Sequence, residues 1–265
     1  MQELILPLLQ ATDFRMEVQP VFGAFHILTA AVLVLAAAAA ARHFRNRSER
    51  FRIRLLAVCG WFLILTEVYK QAFLYYIVNN GQYDYWFLPF QLCSVPMYLT
   101  VLLPWLRGRA REAVLTFLAT YTFVSAVATF LYPADLLRPY LLLTLHGFLW
   151  HGILLFISLT VTLSGMADLT ARAFARATVL FVLLCALAVI LNVIAEPFAV
   201  SAAAQGAPHA HPNMFYLNPY HYSTQPLIGG VQQRLGIPAG LIVYIAAIIG
   251  LSGMVCFAFR RNSAK

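Results

Sequence analysis

Apolar runs dominate the chain, and crossing a bilayer as a helix takes roughly 20 such residues. Seven runs reach that length, at about 21–41, 53–78, 86–106, 112–132, 139–163, 173–195 and 238–259. The pattern predicts an all-α integral membrane protein with seven transmembrane helices, forming a single membrane domain over 1–265. The polar intervals are short except for 196–237, which opens as EPFAVSAAAQGAPHAHPN and continues as NMFYLNPYHYSTQPLIGG. Long connections within compact domains are functional or disordered. Its Ala/Gly/Pro half is expected to be mobile, and 213–230 to form a lid over the mouth of the bundle. Residues 1–19 mix Ile5, Leu8 and Leu9 with Asp13, Arg15 and Glu17, which suits a short interfacial helix.

Composition agrees: 62% of residues are hydrophobic and 11% charged, where soluble domains carry about 25% charged. Charge then sets the orientation. The intervals 42–54, 107–111 and 164–176 and the C-terminal tail hold 14 of the 18 Lys and Arg residues. The positive-inside rule places these on the cytoplasmic side, with the N-terminus outside and the C-terminus inside. The net charge of +8 is explained by anchoring to anionic lipid and gives no reason to invoke nucleic acid. No signal peptide is evident, because the first 20 residues lack a basic start. The four cysteines include no CxxC. Cys93 lies too far in depth from Cys59 and Cys256 to pair with them, and Cys59, Cys185 and Cys256 read as small buried hydrophobes.

Polar groups cost free energy in hydrocarbon, so those inside the apolar runs are candidate functional residues. They are Glu67, Lys70, Gln91, Cys93, His146, His151 and Asn192. Helical rise places Cys93 and His146 roughly 10 Å below the outer end, Lys70 about 12 Å, Glu67 about 16 Å and His151 about 18 Å. All share the outer half of the membrane, beneath the long loop. Each also has a structural reading. Glu67 and Lys70, at i and i+3, suit an intrahelical ion pair. A buried cysteine packs well, and one histidine can bridge helices while the other acts as a base. His146 and His151 stand about 140° apart around a helix, so they do not form one metal-binding face. Pro89 and Pro96 bracket Cys93 and predict an irregular helix with freed backbone groups. His209, His211 and His221 have no acidic neighbour nearby in sequence and read as surface loop residues. No metal and no cofactor are expected.

The chemistry that fits is acyl transfer through a thioester. A thiolate attacks an ester carbonyl, and a second acceptor then opens the acyl-enzyme. A histidine moves the protons. Lys70, Gln91 or backbone N–H groups near Pro96 would stabilise the oxyanion, and Glu67 would orient. Ser94, beside the cysteine, is an alternative nucleophile that more often bonds a helical carbonyl.

LPFQLCS in the third run, Glu67 in the second, HGFLWHG in the fifth and NMFYL followed by Pro219 before the last resemble the YwaF-like integral membrane proteins. The resemblance extends over nearly the whole chain. That family is similar to a eukaryotic acyltransferase of the transmembrane protein 164 type, which moves polyunsaturated acyl chains onto ether lysophospholipids using a cysteine and a histidine. More distantly it is similar to multipass hydrolases of fatty-acid esters of hydroxy fatty acids, which use threonine and histidine. The resemblance implies Cys93 as nucleophile and, by spacing, His151 as its base, whereas depth favours His146; both stay open. Asn192, Asn213, Tyr216, Asn218 and Tyr220 are the expected substrate-binding and lid residues. The implied partners are a membrane phospholipid and a lysophospholipid, in the inner membrane of a bacterium. The paired histidines and the Ala-rich stretch 199–210 depart from the family pattern and leave the substrate open. Lipid-ester hydrolysis on the same site, a non-enzymatic transporter or receptor with a polar core, and a structural membrane protein are the alternatives.

Overall fold

Hydrogen-bonding every backbone group within the segment is what makes a helix the favoured way through hydrocarbon, and the computed structural model turns most of the apolar runs into long helices. It describes residues 2–263, with the side chains of 5–225 and 228–261. The helices are α1 Gln2–Gln10, α2 Ala24–Phe44, α3 Glu49–Phe73, α4 Val95–Leu102, α5 Gly108–Leu131, α6 Leu141–Leu163, α7 Ala171–Ala204, α8 Pro226–Leu235 and α9 Ile237–Ser263. A π-helical turn, Leu74–Val78, continues α3. Among the described residues there is no strand, only an isolated antiparallel bridge between Arg15 and Tyr140.

Among the described residues, five helices are long and apolar enough to cross a membrane: α2, α5, α6, α7 and α9. The other two expected spans differ. Helix α3 has 25 residues but carries Glu67 and Lys70 within its apolar stretch and Glu49, Arg50, Arg52 and Arg54 at its start. The run 86–106 is not one helix. A 3₁₀ turn, Tyr85–Phe87, leads into irregular chain, and only Val95–Leu102 is α-helical. Pro89 disfavours helix for its predecessor. Pro96 sits at the start of α4, where its missing N–H costs nothing. The expected helical setting of Cys93 is therefore corrected: it lies in a turn just before α4. A second correction concerns the Ala-rich stretch 196–204, which continues α7 through Pro197, as the high helix propensity of alanine favours.

Helices α5 and α6 form the buried centre, while α2, α7 and α9 are peripheral. Helix α6 packs against α2, α3 and α5, and α5 also meets α7 and α9. Tyr121 of α5 stacks between Phe117, Phe174 and Phe181 and shares its hydroxyl with Thr178 at 2.8 Å. At the other end of α5, buried His26 uses both ring nitrogens, with Nδ1 accepting from the Phe22 N–H at 3.0 Å and Nε2 donating to the Phe130 carbonyl at 2.9 Å. With no free nitrogen, His26 is a structural tie. Helix α1 is integrated rather than merely interfacial: buried Leu9 packs on Phe73, Leu74 and Leu143, and the Tyr69 hydroxyl donates to Thr12 Oγ1 at 2.9 Å.

Helices α3 and α4 meet at Gly60, where an added Cβ would lie 2.8 Å from the Met97 carbonyl oxygen. Small residues permit such close approach between membrane helices. Gly60→Val is expected to cost about 1–3 kcal/mol, as overpacking does, and to lower the unfolding temperature in detergent. An unchanged midpoint would mean that α4 moves aside freely.

Candidate active site

The irregular chain before α4, the C-terminal half of α3 and the first half of α6 enclose a cavity of about 170 Å³. Glu67, Lys70, Gln91, Cys93, His146 and His151 all line it, with Ser94, Trp150, Arg138, Asp135 and Tyr216. All six residues predicted to carry or support chemistry thus share one cavity. Of the predicted lid residues only Tyr216 reaches it.

Cys93 is held by its backbone. Trp150 Nε1 donates to the Cys93 carbonyl at 3.0 Å, pinning the turn to α6. The amides of Gln91, Leu92 and Cys93 find no backbone acceptor among the described residues, so this turn sets backbone N–H groups beside the thiol. The two histidines differ. His151 Nδ1 lies 2.8 Å from the Gly147 carbonyl, which can only accept, so Nδ1 carries the proton and Nε2 the lone pair. His146 Nε2 is buried with no hydrogen-bond partner. Lys70 and Glu67 form the expected ion pair at 2.8 Å. Glu67 Oε1 also accepts from Gln71 Nε2 at 2.7 Å, and that amide donates to the Phe87 carbonyl too.

Gln91 has a different role from the expected oxyanion donor. Its Nε2 donates to the Asn213 carbonyl at 3.0 Å and its Oε1 accepts from the Phe215 N–H at 2.7 Å. Fully buried Asn192 does the same one residue along, donating to the Met214 carbonyl at 3.1 Å and accepting its N–H at 2.7 Å. Two amide side chains therefore grip the backbone of 213–215 in the manner of a neighbouring strand. Asn213 and Asn218 brace the loop itself, with Asn213 Oδ1 accepting from the Asn218 N–H at 3.1 Å. Tyr220 is exposed and away from the cavity. Phe215 and Tyr216 both have positive φ, 55° and 58°. Through this bend Tyr216 lines the cavity and donates its hydroxyl to Asp135 Oδ2 at 3.3 Å. Burial, then the Asp135 charge, push the phenol up, so it remains a proton donor at physiological pH.

Arg138, in the turn before α6, lines the same cavity. Its guanidinium lies 4.4 Å over the Phe87 ring and Nε donates to the Asp135 carbonyl. Burial lowers its pKa from the ordinary value, opposed by Asp135 and Asp84. Among the described residues it forms no ion pair. The signal available in the sequence was a basic residue in one of the intervals that hold very few. Trp150, between the two histidines, gave no chemical signal at all.

A second, apolar cavity of about 770 Å³ lies between α2, α3 and α6, lined by Leu28, Val32, Phe62, Leu65, Leu145 and Leu149 among others. Those six side chains are all substantially exposed, so it is a groove on the lipid-facing surface. It shares His146 and Trp150 with the polar cavity.

The fold and the cavity define a multi-pass helical membrane protein with a pocket lined by a cysteine and two histidines and reached by Tyr216 of the connection before α8. A family model described as the TMEM164 family matches residues 21–256, and the chain belongs to that family. The match bears on the transmembrane protein 164 side of the resemblance and not on the YwaF-like grouping. No curated protein and no solved structure gives a significant match.

Proposed function

We propose that the protein is a phospholipid acyltransferase working through an acyl-thioester. It would be one membrane domain in which α3 and the broken run around α4 complete seven spans, with the N-terminus outside and the C-terminus cytoplasmic, as the arginine distribution favours. The observation that carries this reading is the convergence of Cys93, His146, His151 and the Lys70–Glu67 pair in one cavity that adjoins a lipid-facing apolar groove. An acyl chain lies in the groove with its ester at the His146–Trp150 junction, while Arg138 offers an unpaired guanidinium to the phosphate. The groove volume falls within the range of roughly 300–1,000 Å³ typical of ligand sites.

Cys93 Sγ attacks the ester carbonyl as His151 Nε2 takes the thiol proton, and the N–H groups of the 91–93 turn and Lys70 stabilise the oxyanion. Collapse breaks the ester C–O bond, and the leaving lysophospholipid oxygen takes the proton from His151. A second lysophospholipid hydroxyl gives its proton to His151, attacks the thioester, and releases the thiolate, which recovers the proton. The phospholipid and lysophospholipid are the only partners this cycle needs.

The test is the purified protein in detergent–lipid micelles with a phospholipid labelled in its acyl chain and an unlabelled lysophospholipid. The label should appear in the acceptor's diacyl product. Label released only as free fatty acid would make the protein a hydrolase, and an unchanged donor would remove the enzymatic reading.

A further inference from the structure

The three loop histidines do not act together. His209 Nδ1 pairs with Asp84 at 2.7 Å and its ring stacks on Trp86. His211 and His221 converge elsewhere, on a residue far from both in sequence. Oε1 of Glu196, near the end of α7, lies 2.5 Å from His211 Nδ1 and 2.7 Å from His221 Nε2. The two imidazoles stack with centroids 3.4 Å apart. The three ligand atoms lie within 4.8 Å of one another.

We propose that Glu196, His211 and His221 form a binding site for a divalent transition-metal ion of the zinc type. Two imidazoles and one carboxylate are a recurrent protein ligand set for zinc, with a water in the fourth position. Zinc–ligand distances of about 2.0–2.2 Å require the two nitrogens to withdraw slightly from the shared oxygen. Binding requires each ring to turn a lone pair to the ion and carry its proton on the opposite nitrogen, which the partial exposure of both side chains leaves open to water. The supporting shell is already built. Buried Asn218 donates from Nδ2 to Glu196 Oε2 at 3.2 Å and to the Pro212 carbonyl at 2.7 Å. Its Oδ1 accepts the His221 N–H at 3.2 Å, so one amide orients both the carboxylate and the segment carrying a histidine. Such outer contacts fix ligand geometry at metal sites. The ion would tie the end of α7 to the loop that places Tyr216 over the polar cavity, a structural role independent of the reaction proposed above.

The probe is Zn²⁺ itself, added to the full chain purified in detergent and stripped with a chelator. Elemental analysis after dialysis should give one zinc per chain, and Glu196→Gln and His221→Ala should each weaken binding at least tenfold. His209→Ala, outside the cluster, should bind as the wild type does. X-ray absorption of the zinc-loaded wild type should show imidazole scattering, a readout that does not depend on how well the variants fold. Wild type that takes up no zinc, or zinc retained undiminished by both cluster variants, would overturn the proposal.

Discussion

Cys93→Ala is expected to reduce acyl transfer by about 10³-fold or more, at matched amounts of folded protein, because the residues of a covalent-catalysis unit fail together. The variant should keep its unfolding temperature within a degree or two. Alanine retains the carbonyl that accepts from Trp150 and gives up only the packing of one sulfur against the core. His151→Asn should fall about as far, and the double variant no further, since a nucleophile without its base gains little from either alone. His146→Asn should lose less, about 10- to 100-fold, because it alters the wall at the junction with the groove and leaves the lone pair on His151 Nε2 in place. Product formation by labelled transfer settles the order. Full activity in Cys93→Ala would exclude the thioester route, and a deeper loss in His146→Asn than in His151→Asn would exchange their roles.

Asn192→Leu is expected to be the most destabilising single substitution in the loop-clamping network. The side chain is fully buried and meets both the N–H and the carbonyl of Met214. Leucine leaves both backbone groups without a partner, at about 1–3 kcal/mol each. The unfolding temperature should drop clearly, and the amides of 213–218 should exchange with solvent faster than in the wild type. Transfer should fall with it, because Tyr216 is placed by the backbone that Asn192 holds. Asn192→Asp keeps the acceptor and should recover part of the loss. If Asn192→Leu exchanged no faster than the wild type across 213–218, the loop would have to be held by Gln91 and Asn218 alone.

What could be read from the chain follows the cost of polarity in hydrocarbon. Glu67, Lys70, Cys93, His146 and His151 stood out because each interrupts an apolar run, and all of them line the one cavity. The limits of α5 and α6, Gly108–Leu131 and Leu141–Leu163, lie within a few residues of the expected 112–132 and 139–163, since length and hydropathy alone determine them. The run 86–106 misled because it is apolar throughout while its three prolines, Pro89, Pro96 and Pro104, interrupt the helix; hydropathy does not see backbone donors. Gln91 misled for a related reason: an amide in an apolar setting marks a need for hydrogen bonds without saying whose. Glu196 could not be linked to His211 and His221 from spacing, as 15 and 25 residues separate them and only the folding of the 211–221 segment brings both rings to the carboxylate.

The groove between α2 and α3 opens sideways, onto the lipid-facing surface, rather than upward into water. A substrate that arrives by that route diffuses in two dimensions and never leaves the leaflet. Its effective concentration is then its mole fraction among the surrounding amphiphiles. Diluting the micelles with buffer leaves that fraction, and the rate per protein, unchanged, whereas adding inert detergent at constant total substrate lowers both. Under the proposed reaction, half-saturation is expected as a surface fraction, and two lipids of equal bulk concentration should compete according to their share of the membrane around α2 and α3.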